Sequence, residues 1–123
     1  MSRILFFILL SISFVAKSGT FYWIGGTGSW SSMSSWSQTS GGTAGVTVPS
    51  VGDTVYFNGA SGLTGASTVT LDVAINVSIF DFSAANTAFQ FQCTLPSITV
   101  SNILSGSVNP TFTGWTGFWN ITT

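Results

Sequence analysis

The chain has 123 residues and a formal net charge of −1, with two basic residues, three acids and no histidine. Only 4% of its residues are charged, and after Lys17 there is no cationic side chain. That excludes the Lys/Arg neutralisation of phosphates on which nucleic-acid binding rests, electrostatic attraction to anionic lipid, and most of the side chains used for general acid–base catalysis.

The first segment reads as a targeting signal. Arg3 precedes the apolar run Ile4-Leu5-Phe6-Phe7-Ile8-Leu9-Leu10, which continues through Ile12, Phe14 and Val15. Ala16-Lys17-Ser18 then puts small residues at −3 and −1 of a cut after Ser18, the layout of a secretory signal peptide. The apolar stretch falls short of the roughly 20 residues that span a bilayer. Residues 1–18 are therefore expected to be a cleaved signal peptide; a hydrophobic anchor and a buried first strand are the alternatives. Residues 19–123 are expected to be a single module, secreted or on the cell surface, with no stable membrane span after cleavage. About 105 residues suffice for one core.

Residues 19–50 are rich in Gly, Ser, Thr and Trp, residues 51–104 read as short strands, and residues 105–123 return to Gly, Thr and aromatics. No window carries the 3.6-residue apolar period of a helix, and β-branched residues abound. A strand is expected over 53–57, ending at the turn-like Asn58-Gly59. The clearest strand covers 68–75, with Val69, Leu71, Val73 and Ile75 on one face and Thr68, Thr70, Asp72 and Ala74 on the other. Residues 77–82 are apolar on both faces, which predicts cover on both sides. Strands follow over 88–95 and 97–104, split by Pro96, and a last pair is expected near 111–113 and 118–121. The pattern fits short stacked strands, a β-solenoid start with an aromatic and Gly-rich cap, or alternatively an antiparallel β-sandwich. Thr- and Asn-rich faces without charge favour stacking, because like charges directly opposite repel.

Cys93 is the only cysteine. It is in phase with Phe89, Phe91 and Leu95, and reads as a small buried hydrophobe. Gly25-Gly26-Thr27-Gly28 lacks the following helix and the lysine of a phosphate loop, so it reads as a tight turn with positive φ. Trp23, Trp30 and Trp36 are expected to pack as a cap over one end of the sheet. Trp115 and Trp119, among Gly and Thr, are the candidates for a glycan or partner contact surface. Asp53 opens a strand and is expected to satisfy turn amides, Asp72 to lie on a polar strand face, and Asp81, between two Phe residues, to be the partly buried one. No signal pairs two of them as a glycosidase requires. Asn76-Val77-Ser78 and Asn120-Ile121-Thr122 have the form of N-glycosylation sequons, which chance supplies in so Ser/Thr-rich a chain.

One segment resembles a known kind of module. Phe21-Tyr22-Trp23-Ile24-Gly25-Gly26-Thr27-Gly28-Ser29-Trp30 matches an opening Y-W-V/I-G-G-T-G-x-W; Ser35-Trp36-Ser37, Thr39-Ser40-Gly41-Gly42 through Gly45, Val48-Pro49 and Asp53-Thr54-Val55-Tyr56-Phe57 match its W-S, T-S-G-G, V-P and D-x-V-x-F. Such modules occur in large secreted or surface adhesin-like proteins of bacteria, often ahead of β-helical regions, and in phage structural and tail-associated proteins. The resemblance implies a non-enzymatic structural or adhesive role, at a cell surface or in a virion, with self-association or a larger assembly as partner; a carbohydrate-binding module is the alternative. No cofactor or metal site is expected in this chain. Related sequences often carry a second acid after V-x-F where this chain has Asn58. They are also far longer, so a lone module or a fragment is expected.

Overall fold

The computed structural model describes residues 18–94, 97–114 and 118–121, with side chains left out for Ser97 and 118–121. The expected leader therefore lies outside the described residues up to position 17. What is described is all-β, with one short 3₁₀ turn at Met33–Ser35 and no α-helix.

Ten strands occur among the described residues: β1 (Thr20–Trp23), β2 (Gly28–Ser29), β3 (Trp36–Ser37), β4 (Thr54–Tyr56), β5 (Thr68–Leu71), β6 (Ile75–Asp81), β7 (Gln90–Cys93), β8 (Ser97–Leu104), β9 (Thr111–Thr113) and β10 (Phe118–Ile121). They form a six-stranded sheet ordered β10-β8-β6-β4-β1-β3 and a four-stranded sheet ordered β2-β5-β7-β9. From β4 onward the chain alternates between the two sheets. Every pairing is parallel except β1 with β3.

Parallel register stacks like on like. Inward rows run Phe21, Val55, Phe80, Ile103 in one sheet and Val69, Phe91, Phe112 in the other, with Leu71 beside Cys93 and Val77 beside Val100. Outward rows are polar: Thr70, Gln92, Thr113 in one sheet and Asn76, Thr99 in the other. The core lies between the sheets and is unusually aromatic. Phe57 is fully buried at its centre. Its ring stacks on Phe80 at 5.4 Å, Phe89 at 5.6 Å and Trp23 at 5.6 Å, and meets Phe91 edge-on at 5.1 Å. Such pairs add about 0.5–1.5 kcal/mol each beyond area burial.

Three sequence expectations need correction. The expected strand over 68–75 is two strands, one in each sheet, joined by a corner at Asp72-Val73-Ala74. Alternation continues through that corner, so periodicity does not mark it, and Asp72 lies at the corner, just past the strand. Residues 77–82 are not fully covered on both faces, since Ser78 and Ile79 are half-buried. The amides of Ser78 and Ile79 both donate to the Asp53 carbonyl, at 2.8 and 3.3 Å. This bulge-like bend shifts the inward set from Ile75 and Val77 to Phe80 and Phe82. The final two strands do not pair with each other; β9 joins β7 and β10 joins β8. The two-residue strands β2 and β3 carry no periodicity and were not expected.

Truncating the central ring tests this core. Phe57→Ala is expected to cost about 3–5 kcal/mol in urea unfolding, whereas Val51→Ala, at a side chain 71% exposed, is expected to stay within about 0.5 kcal/mol. Equal costs for the two variants would contradict the packing.

Candidate functional site

The three carboxylates are each engaged by a different partner set. Asp53 Oδ1 accepts the Gly19 N–H at 2.7 Å, and Oδ2 accepts the Ser50 N–H at 2.8 Å and its hydroxyl at 3.3 Å. The Asp53 N–H in turn donates to the Ser50 carbonyl at 3.1 Å. The same reciprocal turn recurs with serine in place of aspartate. Ser61 Oγ accepts the Asn58 N–H and Ser67 Oγ that of Thr64, at 2.9 and 2.8 Å, while the Ser61 and Ser67 N–H groups return to the Asn58 and Thr64 carbonyls. Asp81 Oδ1 accepts the N–H and hydroxyl of Ser83, at 2.9 and 2.7 Å. Asp53 and Asp81 are buried to the same degree, 7% and 8% exposed, so Asp81 is not alone in the interior. Asp53 was harder to see because no large aromatic flanks it, as Phe80 and Phe82 flank Asp81; the turn that buries it closes against Gly19.

Asp72 clamps the chain across a long separation. It accepts the Ser31 N–H at 3.0 Å through Oδ1 and the Ser31 hydroxyl through Oδ2. Partial burial pushes its carboxyl up, but the Ser31 bonds and its own amide outweigh that and hold it below the ordinary aspartate value of 3.8. Among the described residues no group of three or more His, Cys, Asp or Glu gathers, and no pocket opens.

The aromatic residues divide by position. Trp23, Trp30 and Trp36 are all buried. They sit where β3 ends one sheet and β2 ends the other. Trp36 meets Trp30 edge-on at 4.6 Å and Trp23 at 5.2 Å. Trp36 Nε1 donates to the Trp30 carbonyl at 2.8 Å, and Trp23 Nε1 to the Gly26 carbonyl at 3.0 Å. Gly26 has φ +56, and a Cβ there would stand 2.9 Å from the Gly62 carbonyl oxygen, so this turn requires glycine. Buried rings of this kind are unavailable for stacking on a sugar. Trp115 lies outside the described residues, as does the side chain of Trp119, whose backbone pairs with Ile98 in the β10–β8 ladder.

The accessible surface is the outward faces of the sheets. On the four-stranded sheet, Thr68, Gln90 and Thr111 form one row and Thr70, Gln92 and Thr113 the next. On the six-stranded sheet, the half-buried Tyr22 and Tyr56 stack with centroids 5.0 Å apart and planes at 18°. Neither tyrosine was singled out in the sequence; the signal was the pair of polar-phase positions in Y-W and V-Y-F, which parallel register superposes. These faces offer hydroxyls, amides and two aromatic edges, with almost no charge. Comparison with models of known protein families, with curated proteins and with solved structures finds no match to this chain.

Cys93 is buried, and burial pushes its thiol up from the model-compound value of 9.0. The native protein is expected to resist maleimide at neutral pH and to label fully in denaturant; rapid native labelling would contradict the burial. For Asp72, the depressed carboxyl contributes stability that is present above the unfolded value of about 3.9 and lost as pH falls through the lower folded value. Ser31→Ala is expected to move the Asp72 titration upward in an NMR titration and to shrink the acid-induced loss. An unmoved titration would show that Ser31 does not set it.

Proposed function

We propose that residues 19–123 form the start of a short β-solenoid and serve as a non-enzymatic structural or adhesive module of a secreted, surface-exposed or virion protein. The observation that carries this reading is the parallel register running from β4 to β10. Thr54 pairs with Ile79, Thr68 with Gln90, Ile75 with Ile98, Gln90 with Thr111 and Ser97 with Phe118. Each circuit thus returns on the previous one after 21 to 25 residues. An antiparallel sandwich pairs strands by hairpins instead. Asymmetry of the ends supports the same reading. One end carries the antiparallel β3 and the tryptophan cluster, while β9 and β10 are the last strands of their sheets among the described residues. The resemblance of residues 20–57 to modules ahead of β-helical regions agrees with such a polarity. Rigid display through backbone ladders would be the working principle, with the uncharged polar faces making contacts.

A carbohydrate-binding role is the second reading. The stacked Tyr22 and Tyr56, half-buried on the outward face of the six-stranded sheet, favour it over the buried tryptophans, and Trp115 and Trp119 remain candidates for the same role.

Sedimentation velocity across a concentration series separates the two. The structural reading expects concentration-dependent association through sheet edges, weakened by Thr111→Lys on the outward face of β9. A monomer at every concentration, with saturable fluorescence change on adding a neutral polysaccharide and loss of that change in Tyr22→Ala, would overturn the structural reading and favour the glycan one.

A further inference from the structure

Gly19 stands where the expected leader ends, and its main chain is held on both sides. Its nitrogen donates to Asp53 Oδ1 at 2.7 Å, and its carbonyl accepts the Thr54 N–H at 3.0 Å. A side chain here would collide, since a Cβ on Gly19 would stand 2.8 Å from the Phe21 ring. Asp53 is buried, and its second oxygen is fixed by Ser50. A carboxylate is thus locked onto one particular backbone nitrogen.

In the uncleaved chain that nitrogen belongs to a neutral amide. Hydrolysis of the Ser18–Gly19 bond by a leader-removing endopeptidase consumes one water. The water oxygen joins the Ser18 carbonyl carbon, the C–N bond breaks, and the nitrogen takes up protons, leaving a Ser18 carboxylate and a Gly19 ammonium. We propose that cleavage between Ser18 and Gly19 is a stabilising step in maturation, because it creates an α-ammonium already seated against the Asp53 carboxylate. This rests on the reading of residues 1–18 as a cleaved leader.

The sequence makes that ammonium unique. Residues 19–123 contain no Lys, Arg or His, so it is the sole cationic group of the processed chain. The titratable groups on the elements around it are Asp53 itself, Tyr22 on β1, Tyr56 on β4 and Asp81 on β6. Of these only Asp53 bonds the nitrogen. Charge-assisted hydrogen bonds are roughly twice as strong as neutral ones, and a partly buried pair is screened less by salt than an exposed one. Pairing raises the amine above its ordinary value of about 7.7–8.0. The added stability is therefore complete below that value and is lost as pH rises through the raised one.

The test begins with the intact mass of the exported protein, expected to start at Gly19. An N-hydroxysuccinimide acetate reagent then modifies the α-amine selectively, since no lysine competes. Acetylation is expected to lower the folding equilibrium constant at pH 7 on the order of tenfold, the equivalent of one pKa unit, and to reduce the loss of stability between pH 8 and 10, leaving the part that the buried Cys93 thiol contributes. Placing one alanine ahead of Gly19, which displaces the ammonium by about 3.8 Å, is expected to do the same. In Asp53→Asn the acetylation effect is expected to vanish; the alanine-extended protein supplies the comparison if that variant does not fold. A protein starting at Gly19 whose stability ignores both acetylation and extension would overturn the ion pair and leave the leader reading intact. A processed protein starting elsewhere, or one retaining residues 1–18, would overturn both.

Discussion

Parallel register is the constraint on which the rest of this structure depends. When strands stack in register at about 4.8 Å, each side chain meets its counterpart from the neighbouring strand. Apolar residues then build continuous columns, as Val69, Phe91 and Phe112 do, and uncharged polar residues build rows of their own, as Thr70, Gln92 and Thr113 do. A charge at such a position would lie directly over another or over a neutral group already satisfied, at a cost either way. The near absence of Lys, Arg, Glu and His is thus intelligible as a property of the architecture. The acids that do occur lie at turns, a corner and a strand end, where backbone amides and serine hydroxyls engage them.

Short strands give little cohesion alone, so the aromatic interior supplies it. Phe57 links the tryptophans at one end to the phenylalanines of the later strands, touching Trp23 and Trp36 on one side and Phe80, Phe89 and Phe91 on the other. Turns are fixed by the reciprocal bonding at 50–53, 58–61 and 64–67, which satisfies the buried Asp53, Ser61 and Ser67. These turns set where each strand begins, and so set the register that aligns the columns.

Much of the strand order was legible because period-two alternation survives in the later strands. The strand over 97–104 and the short ones at 111–113 and 118–121 have the bounds that alternation suggests. What alternation could not show was change of direction. Asp72-Val73-Ala74 keeps the period while the chain passes from one sheet to the other, and the bend at Ser78-Ile79 disguises itself as a doubly apolar strand. Tertiary partners were equally silent. Ser31 with Asp72 and Gly19 with Asp53 are long-range pairs, and a serine or glycine in a Ser/Gly-rich stretch announces no partner. Stacking of Tyr22 on Tyr56 follows only once the β1–β4 register is known.

Strand direction is the most direct test of this account. In an isotopically labelled sample, cross-strand nuclear Overhauser contacts from the Phe91 backbone should reach Val69 on one side and Phe112 on the other, in the evenly spaced parallel pattern. Contacts joining β7 to β6 or to β8 in the close-pair antiparallel pattern would contradict it, since neighbouring strands in sequence would then be hairpin partners and the columns would dissolve.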